Sequence, residues 1–210
     1  DQRRLRSQAV SGLKITGRVT TEPTITEKEV QEWYRQAHAA SRFSGHVYET
    51  YMSLLNAVFP DWPSLRTLDY GCGPDGGLSS ISPTAVGYDP YVSKFSANPW
   101  KGHSFDLFFS SDVFEHLLES QVSKVLKQVS LSMIPRVFLA IATRPAKKTF
   151  DNTVNIHRTV RPAAWWRTFV AAKLGNKYEL ALHINGSDAA YAVLAFRHKP
   201  VEDVASVKAA

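Results

Sequence analysis

The sequence predicts an α/β fold: a mostly parallel sheet with helices on both faces, a C-terminal antiparallel hairpin, and a helical extension at the N-terminal end. Four short apolar runs, "LRTLDY" (65–70), "TAVGYD" (84–89), "FDLFFS" (105–110) and "RVFLAIAT" (136–143), have the length and residue types of buried strands. Stretches with a helical apolar period lie between and around them, and strands alternating with helices imply a parallel sheet covered on both faces. Two further runs, "KYELALHI" and "AYAVLAFR", flank the turn signal "NGSDA" and read as an antiparallel hairpin.

Residues 1–24 are polar and basic without a sustained period, and read as an arm. Thr26-Glu-Lys-Glu29 is a capping box, in which a hydroxyl and a carboxylate satisfy free amides reciprocally. The helix it opens carries Val30, Trp33, Tyr34 and Ala37 on one face. A second helical stretch, 44–58, repeats the rhythm with Val47, Tyr51, Leu54, Leu55 and Val58, and "PDWPS" (60–64) ends it because each Pro removes an amide donor. Between the third and fourth strands, Leu118, Val122, Val125, Leu126 and Val129 make a helical stripe. "RPAAWWRTFVAAKLG" (161–175) is another helix, with Pro162 near its first turn and Gly175 at its end. Trp165 and Trp166 are adjacent and cannot share a helix face, so one is expected in the core and the other against a strand or a ligand.

At 210 residues the chain fits one domain of moderate size. It divides into a basic arm and helical extension (1–60) that could serve as a lid, a main domain (61–200) and a tail (201–210). No run approaches the eighteen or so apolar residues of a membrane helix, so no membrane partner is expected. The single cysteine, Cys72, excludes an internal disulfide and a Cys-based zinc site, and favours a reducing compartment, most simply the cytoplasm. No metal site is expected. The net charge of +6 admits nucleic acid, phosphorylated substrates or acidic partners without choosing among them.

The loop after the first strand carries the chemistry. Gly71, Gly73 and Gly76 satisfy a literal G-x-G-x-x-G, and Asp89 lies twenty residues after Asp69, where a carboxylate can accept both ribose hydroxyls. Two features argue against a dinucleotide. Asp69 directly precedes the glycines, where it would repel a pyrophosphate and welcome an amino group. Only "GLSSISP" separates the loop from the next strand, too little for the full helix whose N-terminus a pyrophosphate wants.

Taken in order, "LDYGCGPDGG", "VGYDP" and "FDLFFSSDVFEHL" resemble the motif set of class I S-adenosylmethionine-dependent methyltransferases over residues 65–143. The resemblance implies a Rossmann-like sheet, S-adenosyl-L-methionine as cofactor and 61–200 as the methyltransferase domain. It implies that Asp69, Gly71 and Gly73, with Cys72 between them, wall the methionine portion, and that Asp89 holds the ribose. Ser111 and Asp112 would sit beside the sulfonium and the acceptor. Two features depart from the family. Asp75 stands where a further glycine is common. Only fifteen residues separate Asp89 from Phe105, too few for the usual helix, strand and adenine-contacting acidic loop. The fold is therefore expected to be shortened, with Asn98 or Trp100 as candidates to cover the adenine.

Methyl transfer is an in-line displacement that needs near-attack geometry, and a base only where the acceptor must lose a proton. His116, in "DVFEHL", and His157, in "NTVNIHRTV", are the candidate bases, beside Asp112. Arg144, Lys147, Lys148 and Arg158 cluster near His157 and could attract an anionic acceptor. Aromatic residues of the extension, Trp33, Tyr34, Phe43, Tyr48 and Tyr51, form either core or a face suited to a sulfonium. "DVFEHL" resembles the small-molecule methyltransferases, so an O or N of a small molecule is the leading acceptor. An RNA ribose 2′-hydroxyl is the alternative, with Asp112, Lys147 or Lys148, Glu179, and Lys14 or Lys28 in the catalytic roles. A non-catalytic binding module is a further reading, and a nicotinamide-dependent dehydrogenase a distant one.

Overall fold

The computed structural model describes residues 26–40, 42–43, 46–150, 154–186 and 190–200. Helix α1 (Glu27–Ala39) begins where the capping box places it: the Glu29 amide donates to the Thr26 hydroxyl at 3.3 Å, and the Thr26 amide donates to the Glu29 carboxylate at 2.8 Å. The second helical stretch is two elements, a 3₁₀ helix (Val47–Tyr51) running into α2 (Met52–Val58). The tighter turn superposes positions three apart, which stacks Tyr48 and Tyr51 on one buried side ahead of Leu55.

Strands β1 (Thr67–Tyr70), β2 (Ala85–Tyr88), β3 (Leu107–Ser111), β4 (Arg136–Ala142), β7 (Tyr178–Asn185) and β8 (Tyr191–His198) make a six-stranded sheet in the order β2-β1-β3-β4-β8-β7 among the described residues. The β2, β1, β3 and β4 pairs are parallel, whereas β8 runs antiparallel between β4 and β7. Between β4 and β7 lie a two-stranded ribbon, β5 (Thr149–Phe150) with β6 (Val154–Asn155), and helix α4 (Ala163–Leu174). Helix α3 (Glu119–Leu131) joins β3 to β4.

Alternation along the strands divides the core in two. Leu68, Phe108, Val137, Leu139, Ile141 and Leu194 pack with Val122, Leu126 and Val129 of α3 and with Trp166, Val170 and Leu174 of α4. Leu107, Phe109, Phe138, Ala140, Val193 and Ala195 pack on the other side with Tyr48, Tyr51, Leu55, Phe59 and Trp62. The segment ahead of β1 therefore covers one whole face of the sheet. Each fully buried aliphatic or aromatic side chain contributes about 1.5–3 kcal/mol by leaving water.

Two expectations differ in detail. Leu118 is exposed rather than part of the α3 stripe, because a 3₁₀ turn (Phe114–His116) precedes it and its extended backbone caps the helix. Trp166 is the core member of the tryptophan pair, while Trp165 stacks on Phe169 beneath the Arg161 guanidinium, away from any cavity. The links on both sides of β2 are short. A 3₁₀ turn (Gly77–Ser80) follows the glycine loop and another (Ser93–Phe95) follows β2, which leaves β2 at the sheet's edge. Among the described residues no helix is long and apolar enough to cross a membrane.

Candidate active site

The parallel strands β1 and β3 end at a cavity of about 520 Å³, and α1, the glycine loop and the chain around β5 and β6 close its sides. In an open α/β sheet this is where ligands bind. Asp69, Gly71, Cys72, Gly73 and Asp89 line it from one side, and Ser111, Asp112, His116 and His157 from another, so one space gathers these nine residues.

The loop turns through left-handed backbone at Gly71 (φ 84°) and Gly73 (φ 67°). A Cβ on Gly71 would run into the Val113 side chain. Gly71→Ala is therefore expected to cost at least ~2 kcal/mol, from left-handed strain and the collision together. Chemical denaturation checks this, and an unchanged midpoint would refute it. Cys72 is buried, its thiol pushed up by desolvation and by the Asp69 and Asp89 carboxylates, which makes it a filler and not a nucleophile.

Carboxylates hold this loop in place. One Asp69 oxygen accepts from the Leu78 amide at 2.7 Å, and Gly77 packs so close that a Cβ there would strike the same oxygen. Burial raises the Asp69 carboxyl to about 7, with the Leu78 amide pulling the other way and Asp89 adding to the rise. Asp89 accepts from the Tyr91 amide at 2.9 Å and the Gly73 amide at 3.2 Å, with His38 Nε2 at 3.9 Å. Burial lifts its carboxyl too, against those three partners.

Asp112 adopts positive φ (51°) just past β3, and its amide donates to the Ala140 carbonyl at 2.9 Å. Burial raises its carboxyl to about 6. Glu115, one turn on, is fully buried and held well above the usual carboxylate range by burial first and Asp112 second. The His116 and His157 rings meet edge to face with centroids 4.7 Å apart. His116 Nδ1 lies 2.8 Å from the Tyr34 hydroxyl, and His157 Nδ1 lies 2.7 Å from the Arg144 carbonyl. Burial, then His157, pushes His116 down to about 3, and burial also lowers His157. Both rings are therefore neutral near pH 7.

Shape supplies the comparison that sequence does not, since neither a protein-family model nor a curated protein matches the chain. Magnesium protoporphyrin IX methyltransferase from Synechocystis PCC 6803 with bound SAM superposes with a TM-score of 0.56 at 14% identity, over 85% of this chain and 100% of that one. DhpI, in a complex with SAH, gives a TM-score of 0.53 at 12% identity, over 83% of this chain and 97% of its own. Human N-acetylserotonin methyltransferase in complex with SAM gives 0.52 at 12% identity; the match covers 81% of this chain and 57% of the human one, so this chain spans little more than half its length. The chain has the class I S-adenosylmethionine-dependent methyltransferase fold.

Within this class I methyltransferase fold some expected contributors lie elsewhere. Trp100 stacks on Phe108 and packs against Tyr70 in the core, and the Asn98 side chain accepts from the Trp100 amide, so neither reaches the cavity. Glu179 pairs with Arg197 at 2.7 Å on the hairpin, outside the cavity and apart from Asp112 and Lys147. Arg158 lies over the Phe150 ring, whereas Arg144, Lys147 and Lys148 do line the cavity. Lys14 falls outside the described residues.

Aromatic residues of the extension line the site, and two further residues, His38 and Glu115, escaped the sequence reading. Tyr34 stacks on Tyr91 with centroids 5.1 Å apart, which builds an aromatic wall beside Asp89 that Phe43 and Tyr48 extend. His38 follows Tyr34 by one helical turn, so the α1 periodicity contained it. Glu115 stood inside the quoted "DVFEHL", hidden by the histidine beside it.

Proposed function

We propose that this protein is an S-adenosyl-L-methionine-dependent methyltransferase acting on an oxygen or nitrogen of a small molecule. The observation that carries the reading is the convergence of Asp69, Asp89 and Asp112, from the ends of successive parallel strands, on one cavity with the glycine loop. The donor set fits the cofactor. Asp69 offers a carboxylate to an amino group, Asp89 offers one to ribose hydroxyls, and the Tyr34–Tyr91 wall suits a cationic or aromatic group. His38 Nδ1 is buried at the cavity without a hydrogen-bond partner, as a group awaiting a ligand would be. When bound, the cofactor supplies an electrophilic methyl on sulfur.

The chain's own part is to hold the acceptor in line, exclude water and take up a proton where the acceptor carries one. His157 suits that last role. A carbonyl can only accept, so its Nδ1 carries the hydrogen and its Nε2 keeps the lone pair. His116 is the second candidate. In this reading the described part of the 1–60 extension walls the site over the 61–200 methyltransferase domain, with α1 as its lid. Arg42, Arg144, Lys147 and Lys148 around the cavity support an anionic acceptor, and the same charges support a phosphate-bearing RNA as the second reading.

Calorimetric titration with S-adenosylmethionine is the test, and a folded protein that binds neither it nor its demethylated product sinks the proposal. Binding without turnover on any acceptor would instead support a non-catalytic module. The affinity should also depend on pH. Because the Asp69 carboxyl titrates near 7 in the free protein, a cationic amino group can bind below that pH only by displacing a proton. Affinity is expected to rise about fivefold between pH 6 and 7, and Asp69→Asn should flatten the rise. An unsloped profile in the parent protein would remove Asp69 as the ammonium partner.

A further inference from the structure

We propose that Glu115, His116 and His157 form a divalent-cation site in the cavity. One ligand atom from each of the first three residues lies within 4.8 Å of the others. Ligands about 2.1 Å from one ion stand about 3–4 Å apart, so the widest spacing must shrink by roughly an ångström. The sequence does not advertise the site, because Glu115 and His116 are consecutive and His157 comes forty-one residues after His116.

The second observation is what the carboxylates lack. Glu115 is 0% exposed, and its carboxyl and that of Asp112 have each other as side-chain partners, with no cationic side chain among the described residues hydrogen-bonded to either Glu115 oxygen or to Asp112 Oδ1. The Glu115 and Ala142 amides also reach the Glu115 carboxylate. Two buried carboxylates facing each other are costly unless a proton or a cation lies between them. The imidazoles are prepared for a cation. Each Nδ1 is already engaged, with Tyr34 for His116 and with the Arg144 carbonyl for His157. Such outer contacts fix the ring and tautomer of metal-binding histidines. Two neutral imidazoles and one carboxylate suit a first-row ion such as Mn²⁺, Co²⁺ or Zn²⁺ better than Ca²⁺, which prefers oxygen throughout.

The cation's use rests on the methyl-transfer reading, although its binding does not. Three protein ligands would leave a coordination position open for an acceptor hydroxyl, whose acidity the ion would raise. The methyl–sulfur bond breaks as the oxygen–methyl bond forms, the sulfonium becomes a neutral thioether, and the hydroxyl proton goes to solvent. No oxidation state changes. His116 and His157 then act as ligands, and the site selects hydroxyl over amine acceptors.

Tag-free protein stripped with a chelator and titrated with Co²⁺ tests the site. One equivalent should produce the visible absorption of Co²⁺ with nitrogen ligands. Glu115→Gln and His157→Ala should each weaken binding at least a hundredfold, and His157→Ala, away from the core, should retain its unfolding transition. A folded parent protein that gives no such absorption overturns the proposal, as does undiminished Co²⁺ affinity in the folded His157→Ala variant. S-adenosylmethionine titrations on the same metal-free samples separate a failed cation site from a failed cofactor assignment.

Discussion

Asp69→Asn is expected to lower affinity for S-adenosylmethionine by roughly ten- to a hundredfold while the free protein stays folded. Hydrogen bonds to charged groups are worth about 1.5–3 kcal/mol, and every 1.4 kcal/mol is tenfold in binding. The carboxamide keeps an oxygen for the Leu78 amide, now 2.7 Å from the carboxylate, and loses only the charge. That charge does not help the empty fold. A buried acid whose carboxyl rises from 3.8 to about 7 contributes stability that is present in full at low pH and lost as pH climbs through 7. The variant should therefore match or exceed the parent in unfolding free energy at pH 8. Calorimetric titration and denaturant unfolding on the same preparations read both effects. Parent-like affinity would show that Asp69 faces no cation.

Trp166→Ala should be the most damaging single change to the fold. The side chain is 0% exposed and joins α4 to the sheet through the cluster that holds Val122, Val137 and Leu194. Phe or Trp to Ala in a core costs about 3–5 kcal/mol, a large part of the 5–15 kcal/mol that holds a domain together. Trp166→Phe should cost much less. It retains most of the ring and removes an indole N–H that is buried without a partner. Denaturant midpoints of the two variants provide the comparison, and equal losses would refute it.

The parallel sheet was legible because its central strands are buried and read as apolar runs: Leu107, Phe108 and Phe109 are all 0% exposed. The capping box at Thr26 and the Gly175 stop are local chemistry and could be placed from sequence alone. The split of 44–58 into a 3₁₀ and an α segment could not, because tertiary burial of Tyr48 and Tyr51 sets the pitch. The loop residues around Asp69 were visible for a similar reason, since their spacing is short and contiguous. Glu115 was not, because its role depends on what fails to face it. His38 entered the cavity lining through the docking of α1, a contact between segments that no local pattern reports. Trp100 misled for the converse reason: its aromatic character promised a ligand contact and delivered a stack on Phe108.

The short links on both sides of β2 have a mutational consequence. With no long helix after β1 to clamp it, the glycine loop is fastened by Asp69 to Leu78 and by Asp89 to Gly73. The carboxylates at the strand ends are thus also the staples of the loop beside them. A substitution at either position that removes the acceptor oxygen, unlike Asp69→Asn, alters the shape of the loop together with the charge it carries. The wall supplied by α1 rests instead on its own small cluster around Tyr34, Phe150 and Ile156, so a substitution on its cavity-facing side leaves those staples untouched.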